Sequence, residues 1–100
     1  MQTITLTKVT IIAEAILRER LIEVVLDAGA TGYTCSHAEG EGSRHIRSGD
    51  LPGENIRIET IVSEPVADRL LARLSTEYFP HFALIAYLSE VRVIRGEKYV

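Results

Sequence analysis

The residues best suited to chemistry lie in one glycine-rich segment, Gly40-Glu41-Gly42-Ser43-Arg44-His45-Ile46-Arg47-Ser48-Gly49. Glycines let the backbone adopt positive φ and approach a ligand closely, so that successive N–H groups can point into one anion-binding concavity. Ser43 adds a hydroxyl donor, and Arg44 and Arg47 are spaced so that both guanidinium groups can face one polyphosphate from a turn. The segment therefore predicts a site for a phosphorylated ligand. The alternative is a solvated loop whose arginines only provide solubility.

Other groups with catalytic or metal-binding potential are scattered along the sequence. Cys35 is the only cysteine, which excludes an intramolecular disulfide and a multi-cysteine metal site, and we expect it to be buried in a strand. His37, His45 and His81 lack the spacing of a metal motif. Neither a P-loop nor a supported Ser-His-Asp set is present in the sequence. We expect a protein without metal, cofactor or catalytic residues.

Length and charge limit the classes of partner. The chain has 100 residues, the size of one domain, and a net charge of −3, which gives no overall attraction for nucleic acid or anionic lipid. Nine of the eleven basic residues are arginine, the better residue for bidentate phosphate contacts, although a GC-rich genome gives the same bias. No apolar run reaches membrane-spanning length and no signal peptide is visible. We expect a cytoplasmic protein that does not span a membrane.

Periodicity predicts the elements that must position the loop. Alternating β-branched residues indicate strands, and apolar repeats of about 3.6 residues indicate two helices. Ser63, Glu64 and Pro65 form a helix-start signal with a capping hydroxyl, while Gly29 and Pro80 are expected to end the helices. The loop is longer than a compact domain needs. The predicted elements are a strand over 3–12, a helix from 13, a strand over 31–39, a loop over 40–54, a strand over 55–62, a helix from 64, and a strand over 82–94.

This order predicts the α+β class and the ferredoxin-like βαββαβ fold over residues 1–100. In that fold a four-stranded antiparallel sheet carries two helices on one face. The last predicted strand alternates poorly, because residues 82–88 are all apolar. Apolar residues on both faces of a strand indicate that both faces are buried. We therefore expect a homo-oligomer that packs its open sheet faces together.

Two segments resemble the PII-like signal transduction proteins, and most closely the branch tied to bicarbonate transporters and carboxysomes. They are Gly29-Ala30-Thr31-Gly32-Tyr33-Thr34 and Gly40 through Ser48. The resemblance covers nearly the whole chain, including Lys8 to Glu14. It implies a homotrimeric, non-enzymatic regulator that binds adenine nucleotides (ADP, AMP, ATP or cyclic AMP) in clefts between subunits. It also implies bicarbonate as a second signal.

The resemblance also assigns roles along the chain. Residues 40–54 would be the T-loop, which changes conformation with the ligand and contacts a partner such as a bicarbonate transporter or a carboxysome-related protein. Thr34 would contact adenine, and the same base pocket would be lined by Gly32, Tyr33, Glu59 and Ile61. C-terminal arginines would reach a neighbour's phosphates. The implied nucleotide-binding residues are Gly32, Tyr33, Thr34, Gly40, Gly42, Ser43, Arg44, Arg47, Glu59, Ile61, Arg92 and Arg95.

Two departures from ordinary PII proteins bear on the signal that the protein senses. Ordinary members carry a glycine-rich B-loop with a phosphate-binding lysine before the last strand, whereas this chain has Tyr78-Phe79-Pro80-His81-Phe82. The loop over 40–54 also lacks the tyrosine that ordinary members modify. Both departures favour control of inorganic-carbon metabolism over nitrogen sensing.

Two other functional classes share this topology. Acyl-phosphate hydrolases need an arginine loop after the first strand and an asparagine that positions water, whereas this chain continues into Glu14 and Ala15. A trimeric metal-tolerance or amino-acid-sensing module would share the oligomer but would have no use for the arginine loop. An RNA-binding function is disfavoured by the charge and by the missing aromatic motif.

Overall fold

The computed structural model describes residues 2–40 and 54–95, which form one four-stranded antiparallel sheet with two helices. The strand order is β2-β3-β1-β4, and every neighbouring pair is antiparallel. The predicted fold class is confirmed. The elements are β1 (Ile4–Glu14), a 3₁₀ helix (Ala15–Leu17), α1 (Arg18–Asp27), β2 (Thr34–Ala38), β3 (Asn55–Val62), α2 (Glu64–Glu77) and β4 (Ile85–Val93).

The hydrophobic core lies between the helices and one face of the sheet. Alternate residues of β1 point toward the helices, so Val9 and Ile11 are fully buried, with Ile58 of β3 opposite Ile11. Helix α1 contributes Leu21 and helix α2 contributes Leu70, both inaccessible to solvent. The remaining buried members of this core are Ala13, Leu17, Ile22, Val24, Val25, Ala28, Ile56, Val62, Ala67, Leu74 and Tyr78.

The first strand is longer than its sequence pattern predicts. Ala13 and Glu14 were expected to start the helix, but they pair with Ile56 and Asn55 of β3. These cross-strand partners keep the chain extended for two more residues, and a 3₁₀ helix then precedes α1. Helix periodicity at this junction was overridden by pairing with a strand that is distant in sequence.

The other element boundaries show where sequence signals are weakest. Strand β3 matches its prediction, whereas β2 covers only 34–38 of the predicted 31–39 and β4 covers 85–93 of the predicted 82–94. Phe82 and Leu84 precede β4 and pack against the core, so their apolar character reflects a core-covering connection rather than a strand. Ser63 is the N-cap of α2, but its side chain makes no capping hydrogen bond. The helix ends at Glu77, before Pro80.

The end of α1 is fixed by a glycine and by an arginine from the other helix. Gly29 follows the C-cap residue Ala28 and has φ 118°, as predicted for a residue that ends a helix. Arg69 of α2 donates from Nε and Nη2 to the Ala28 carbonyl oxygen at 3.1 and 3.0 Å. This two-donor contact satisfies a helix-terminal carbonyl and joins the two helices.

Replacing Gly29 by alanine is expected to lower the free energy of unfolding by about 1–3 kcal/mol, because positive φ is unfavourable for a residue with a Cβ. The added Cβ would also lie 3.1 Å from Arg69 Nη2 and 3.3 Å from Val66 Cγ2. Chemical denaturation at one fixed protein concentration measures the change. Gly32→Ala is the matched control, since a Cβ there meets nothing within 4 Å. Equal destabilisation by both substitutions would contradict this explanation.

The sheet face opposite the helices carries apolar side chains that the described part of the chain leaves exposed. Ile85 and Tyr87 of β4 are 58% and 47% exposed, and by register they lie beside Ile12 and Thr10 of β1. Ile4, at the start of β1, lies on the same face by alternation and is also exposed. Both faces of β4 are therefore apolar in its first half, and both are only partly covered within one chain, since Leu88 lies opposite Val9 on the helix-facing side and is 44% exposed.

Candidate functional site

A cleft opens on the sheet where β2 begins and β3 ends. Its volume is about 280 Å³. It is bounded by the turn before β2, by the C-terminal half of β3 and by one side chain of β1. The lining residues are Lys8, Gly32, Tyr33, Thr34, Glu59, Thr60 and Ile61.

The cleft exists because β2 is shorter than its neighbour. Pairing between β2 and β3 stops at Thr34 opposite Glu59, while β3 continues to Val62. A side-chain hydrogen bond holds the turn before β2 against β3, because the Thr60 hydroxyl donates to the Gly32 carbonyl oxygen at 2.6 Å. Thr60 is 2% exposed, so this hydrogen bond satisfies a buried hydroxyl. The contact fixes the turn beside a stretch of β3 that β2 does not cover.

One carboxylate in the cleft lies between two cations. Glu59 Oε2 is 3.8 Å from Lys8 Nζ and 3.9 Å from Arg57 Nε. Both separations exceed hydrogen-bond range. The Lys8 and Glu59 side chains are each about one third exposed, at 32% and 34%. Among the described residues, the cleft lining thus offers one cation and one anion to a ligand, together with the Thr34 hydroxyl and the Tyr33 ring.

The structure brings together five of the residues predicted for nucleotide binding. Gly32, Tyr33, Thr34, Glu59 and Ile61 all line the cleft, although they come from segments far apart in sequence. They are the residues expected on the base side of the ligand. Their grouping shows that one chain can present them to a single molecule. Whether they contact a nucleotide stays a prediction.

The predicted phosphate-side residues lie elsewhere. Arg92 of β4 is exposed and donates from Nε to Thr3 Oγ1 at 3.3 Å. Its β1 partner is Thr5, three residues from Lys8, so it projects from the opposite face of the sheet. Arg95 is exposed, has φ 65° and follows β4. Gly40 is exposed after β2, while four predicted residues lie outside the described residues: Gly42, Ser43, Arg44 and Arg47.

Two lining residues were missed by sequence reasoning. Lys8 is a charged residue in a central strand, and Thr60 is a polar residue at a core position of the alternation Ile56, Ile58, Thr60, Val62. Both placements are costly unless a partner satisfies the polar group. A polar residue at such a position needs a partner, and this need is the signal that could have identified Lys8 and Thr60, although the sequence does not say what the partner is.

The remaining candidate groups are not gathered into a site. Cys35 is half-buried in β2 and packs against the core. Hydrogen bonds to Glu19 and to Cys35 raise the pKa of Arg18. Within residues 2–40 and 54–95, no three His, Cys, Asp or Glu side chains are grouped as metal ligands would be. No helix in these ranges has the length and apolar character needed to cross a membrane.

Comparison with known structures gives full-length matches. A PII-like signalling protein from Thermus thermophilus is 60% identical, with complete coverage of both chains and a TM-score of 0.87. CPII from Thiomonas intermedia, in a structure with ADP and bicarbonate, is 26% identical with a TM-score of 0.85. CPII with ADP, AMP and acetate is 25% identical with a TM-score of 0.85. Each CPII match covers 99% of this chain and 98% of CPII.

The family model for nitrogen regulatory protein P-II matches residues 6–98, nearly the whole chain. The resemblance seen in the segments from Gly29 and from Gly40 is therefore confirmed. The chain belongs to the nitrogen regulatory protein P-II family, and its relatives include PII-like proteins.

Proposed function

We propose that this protein is a non-enzymatic regulator that binds adenine nucleotides in clefts between the subunits of a homotrimer. The observation that carries the proposal is the cleft beside β2, which gathers Gly32, Tyr33, Thr34, Glu59 and Ile61. In this proposal the cleft holds the base side of the nucleotide. Arg44 and Arg47 of the loop over 40–54 bind its phosphates, and Gly40, Gly42 and Ser43 contribute backbone and hydroxyl donors.

The size of the cleft supports a site completed by a second subunit. Its volume of about 280 Å³ lies below the ~300–1,000 Å³ typical of small-molecule pockets. In this proposal the described part of one chain forms one wall of the site, and the loop over 40–54 and a second subunit cover the rest of the nucleotide. Arg92 lies on the sheet face opposite the cleft and Arg95 follows the end of β4, and in this proposal both contact the phosphates bound by a neighbour. The exposed apolar sheet face offers the surface for such an assembly.

The chemistry of the cleft suits a purine. The Tyr33 ring provides a flat apolar surface, and the Thr34 hydroxyl can donate and accept hydrogen bonds at the edge of a base. The last residues of β3 have no β2 partner, so their outward backbone groups can pair with a base edge. These features favour a heteroaromatic ring with a polar edge over a purely apolar ligand.

The proposed signal is the state of inorganic carbon. CPII, which this chain matches along its length, has been crystallised with ADP and bicarbonate. This chain also has no tyrosine in the loop over 40–54 and no lysine in the segment 78–82 before β4. We propose that nucleotide and bicarbonate set the conformation of this loop, and that the loop contacts a bicarbonate transporter or a carboxysome-related protein in the cytoplasm.

Isothermal titration calorimetry tests the nucleotide site. We expect ADP or AMP to bind saturably, and Thr34→Val to weaken adenosine, AMP and ADP alike by about 3- to 10-fold, since one neutral hydrogen bond is lost. Ser36→Ala is the matched control: its hydroxyl lies on the same strand, two residues beyond the cleft lining, and its loss should leave affinity unchanged.

Three results would count against the proposal. Absence of heat with ADP, AMP, ATP and cyclic AMP at millimolar concentration would remove the nucleotide site. Steady formation of ADP during incubation with ATP would contradict the non-enzymatic assignment and would favour a small phosphate-ester hydrolase. An assembly that responds to a metal or an amino acid instead would favour the sensing module.

A further inference from the structure

We infer that the Lys8 ammonium group binds an oxyanion of the ligand, and that Glu59 opposes the oxyanion at that position. The inference rests on the proposed nucleotide site and adds a charged contact to it. Lys8 lines the cleft together with Thr34 and Ile61. Within the described part of the chain it is the basic side chain of the cleft lining, since Arg57 does not line the cleft.

The backbone of Lys8 is held firmly in place. It lies in a central strand, with Ile61 of β3 on one side and Ser89 of β4 on the other. A side chain anchored in this way presents its charge at a reproducible position. Lys8 is two strands from Thr34 and offset from it by two residues along the sheet, which separates their backbones by roughly 12 Å, a span comparable with the length of a nucleoside monophosphate from base to phosphate.

The ammonium group retains hydrogen-bonding capacity for a ligand. Its Nζ is 3.8 Å from Glu59 Oε2, too far for a hydrogen bond. A lysine has three donors, and a phosphate or carboxylate oxygen binds them at about 2.7–2.9 Å. A partly exposed ion pair as long as this one contributes little to stability. A ligand oxyanion can therefore take the Lys8 donors at small cost.

Arg57 allows Lys8 to leave Glu59 and bind a ligand oxyanion instead. Glu59 Oε2 is also 3.9 Å from Arg57 Nε, so the carboxylate keeps a cation when Lys8 turns to the ligand. The carboxylate remains beside the oxyanion and repels it. Lys8 and Glu59 thus act in opposite directions on an anionic ligand, and the balance between them sets how strongly the cleft prefers a charged ligand to a neutral one.

The readout is the dissociation constant for adenosine divided by that for AMP, because this ratio isolates the contribution of the ligand's charge. We expect Lys8→Gln to lower this ratio about tenfold, the loss of one charge-assisted contact. Glu59→Gln is expected to raise it about threefold, since a nearby like charge is removed. Lys8→Arg should retain the wild-type ratio, which separates lost charge from misfolding.

Arg57→Gln is the matched control. It also removes a cation that lies 3.9 Å from Glu59 Oε2, but Arg57 is not part of the cleft lining. The ratio is expected to fall by less than about threefold, well short of the effect of Lys8→Gln, because Arg57 acts on the ligand only through Glu59 and does not line the cleft. Thermal unfolding of all four variants checks that each one folds.

The oxyanion has two sources, the nucleotide phosphate and free bicarbonate. If the phosphate binds Lys8, Lys8→Gln changes the adenosine-to-AMP ratio. If bicarbonate binds there, the ratio is retained and Lys8→Gln instead abolishes any strengthening of adenosine binding by bicarbonate. An unchanged result in both titrations would overturn the role of Lys8 while leaving the nucleotide site intact. Absence of any binding by the wild-type protein would overturn the proposed function itself.

Discussion

Simultaneous replacement of Arg44 and Arg47 by alanine is expected to weaken ADP binding by at least about 100-fold and to leave adenosine binding nearly unchanged. Each charge-assisted hydrogen bond to a phosphate contributes about 1.5–3 kcal/mol, and ~1.4 kcal/mol corresponds to tenfold in affinity. The two arginines are three residues apart, so both can serve one polyphosphate. The effect should increase from adenosine through AMP to ADP, because each added phosphate offers more acceptor oxygens. Calorimetric titration of the three ligands measures this series.

The control pair for this experiment is Arg20→Ala with Arg73→Ala. It removes the same two positive charges from a chain whose net charge is −3, but from α1 and α2, on the opposite side of the sheet from the cleft. We expect ADP affinity to change by less than about threefold, because separation and salt screen the effect of charges on that side. Parallel losses for ADP and adenosine in the Arg44 and Arg47 variant would reject a phosphate-binding role.

The fold was largely predictable because its elements have strong local patterns. The alternation of Ile56, Ile58 and Val62 predicted β3 correctly, and the apolar repeat of α2 placed Leu70 and Leu74 in the core. The errors arose where distant pairing decided the conformation. Glu14 is extended because Asn55 lies opposite it, and no pattern within residues 10–18 carries that information.

The site was predictable only where a family motif marked it. Gly32 and Thr34 belong to a segment that resembles the family, and the structure places both in the cleft. Lys8 and Thr60 carry no motif, and their role depends on the register of β1 with β3 and on the turn tied at Gly32. Local sequence reports which groups are available, whereas cross-strand register decides which of them face one another.

Ile85→Lys is expected to convert the proposed trimer into monomers. Ile85 is 58% exposed in the single chain, so the substitution should not disturb the core between sheet and helices. In a symmetric trimer that packs its sheet faces together, it would place a charge from every subunit in the interface. An unpaired buried charge costs on the order of 3–5 kcal/mol, and symmetry repeats that cost in each subunit. Sedimentation equilibrium measures the mass of the particle and so distinguishes a trimer of 11.1 kDa chains from a single chain.

Ile16→Lys is the matched control for the trimer, since Ile16 is 85% exposed but lies in the 3₁₀ helix and not on the open sheet face. It should leave the proposed trimer intact. The monomeric Ile85 variant also tests where the ligand binds, because a cleft of this size completed by a neighbour should lose nucleotide affinity on dissociation. A monomer that binds ADP as tightly as the trimer would place the whole site within one chain. If the Ile85→Lys protein remained trimeric, the interface between subunits would have to lie on a surface other than the apolar sheet face.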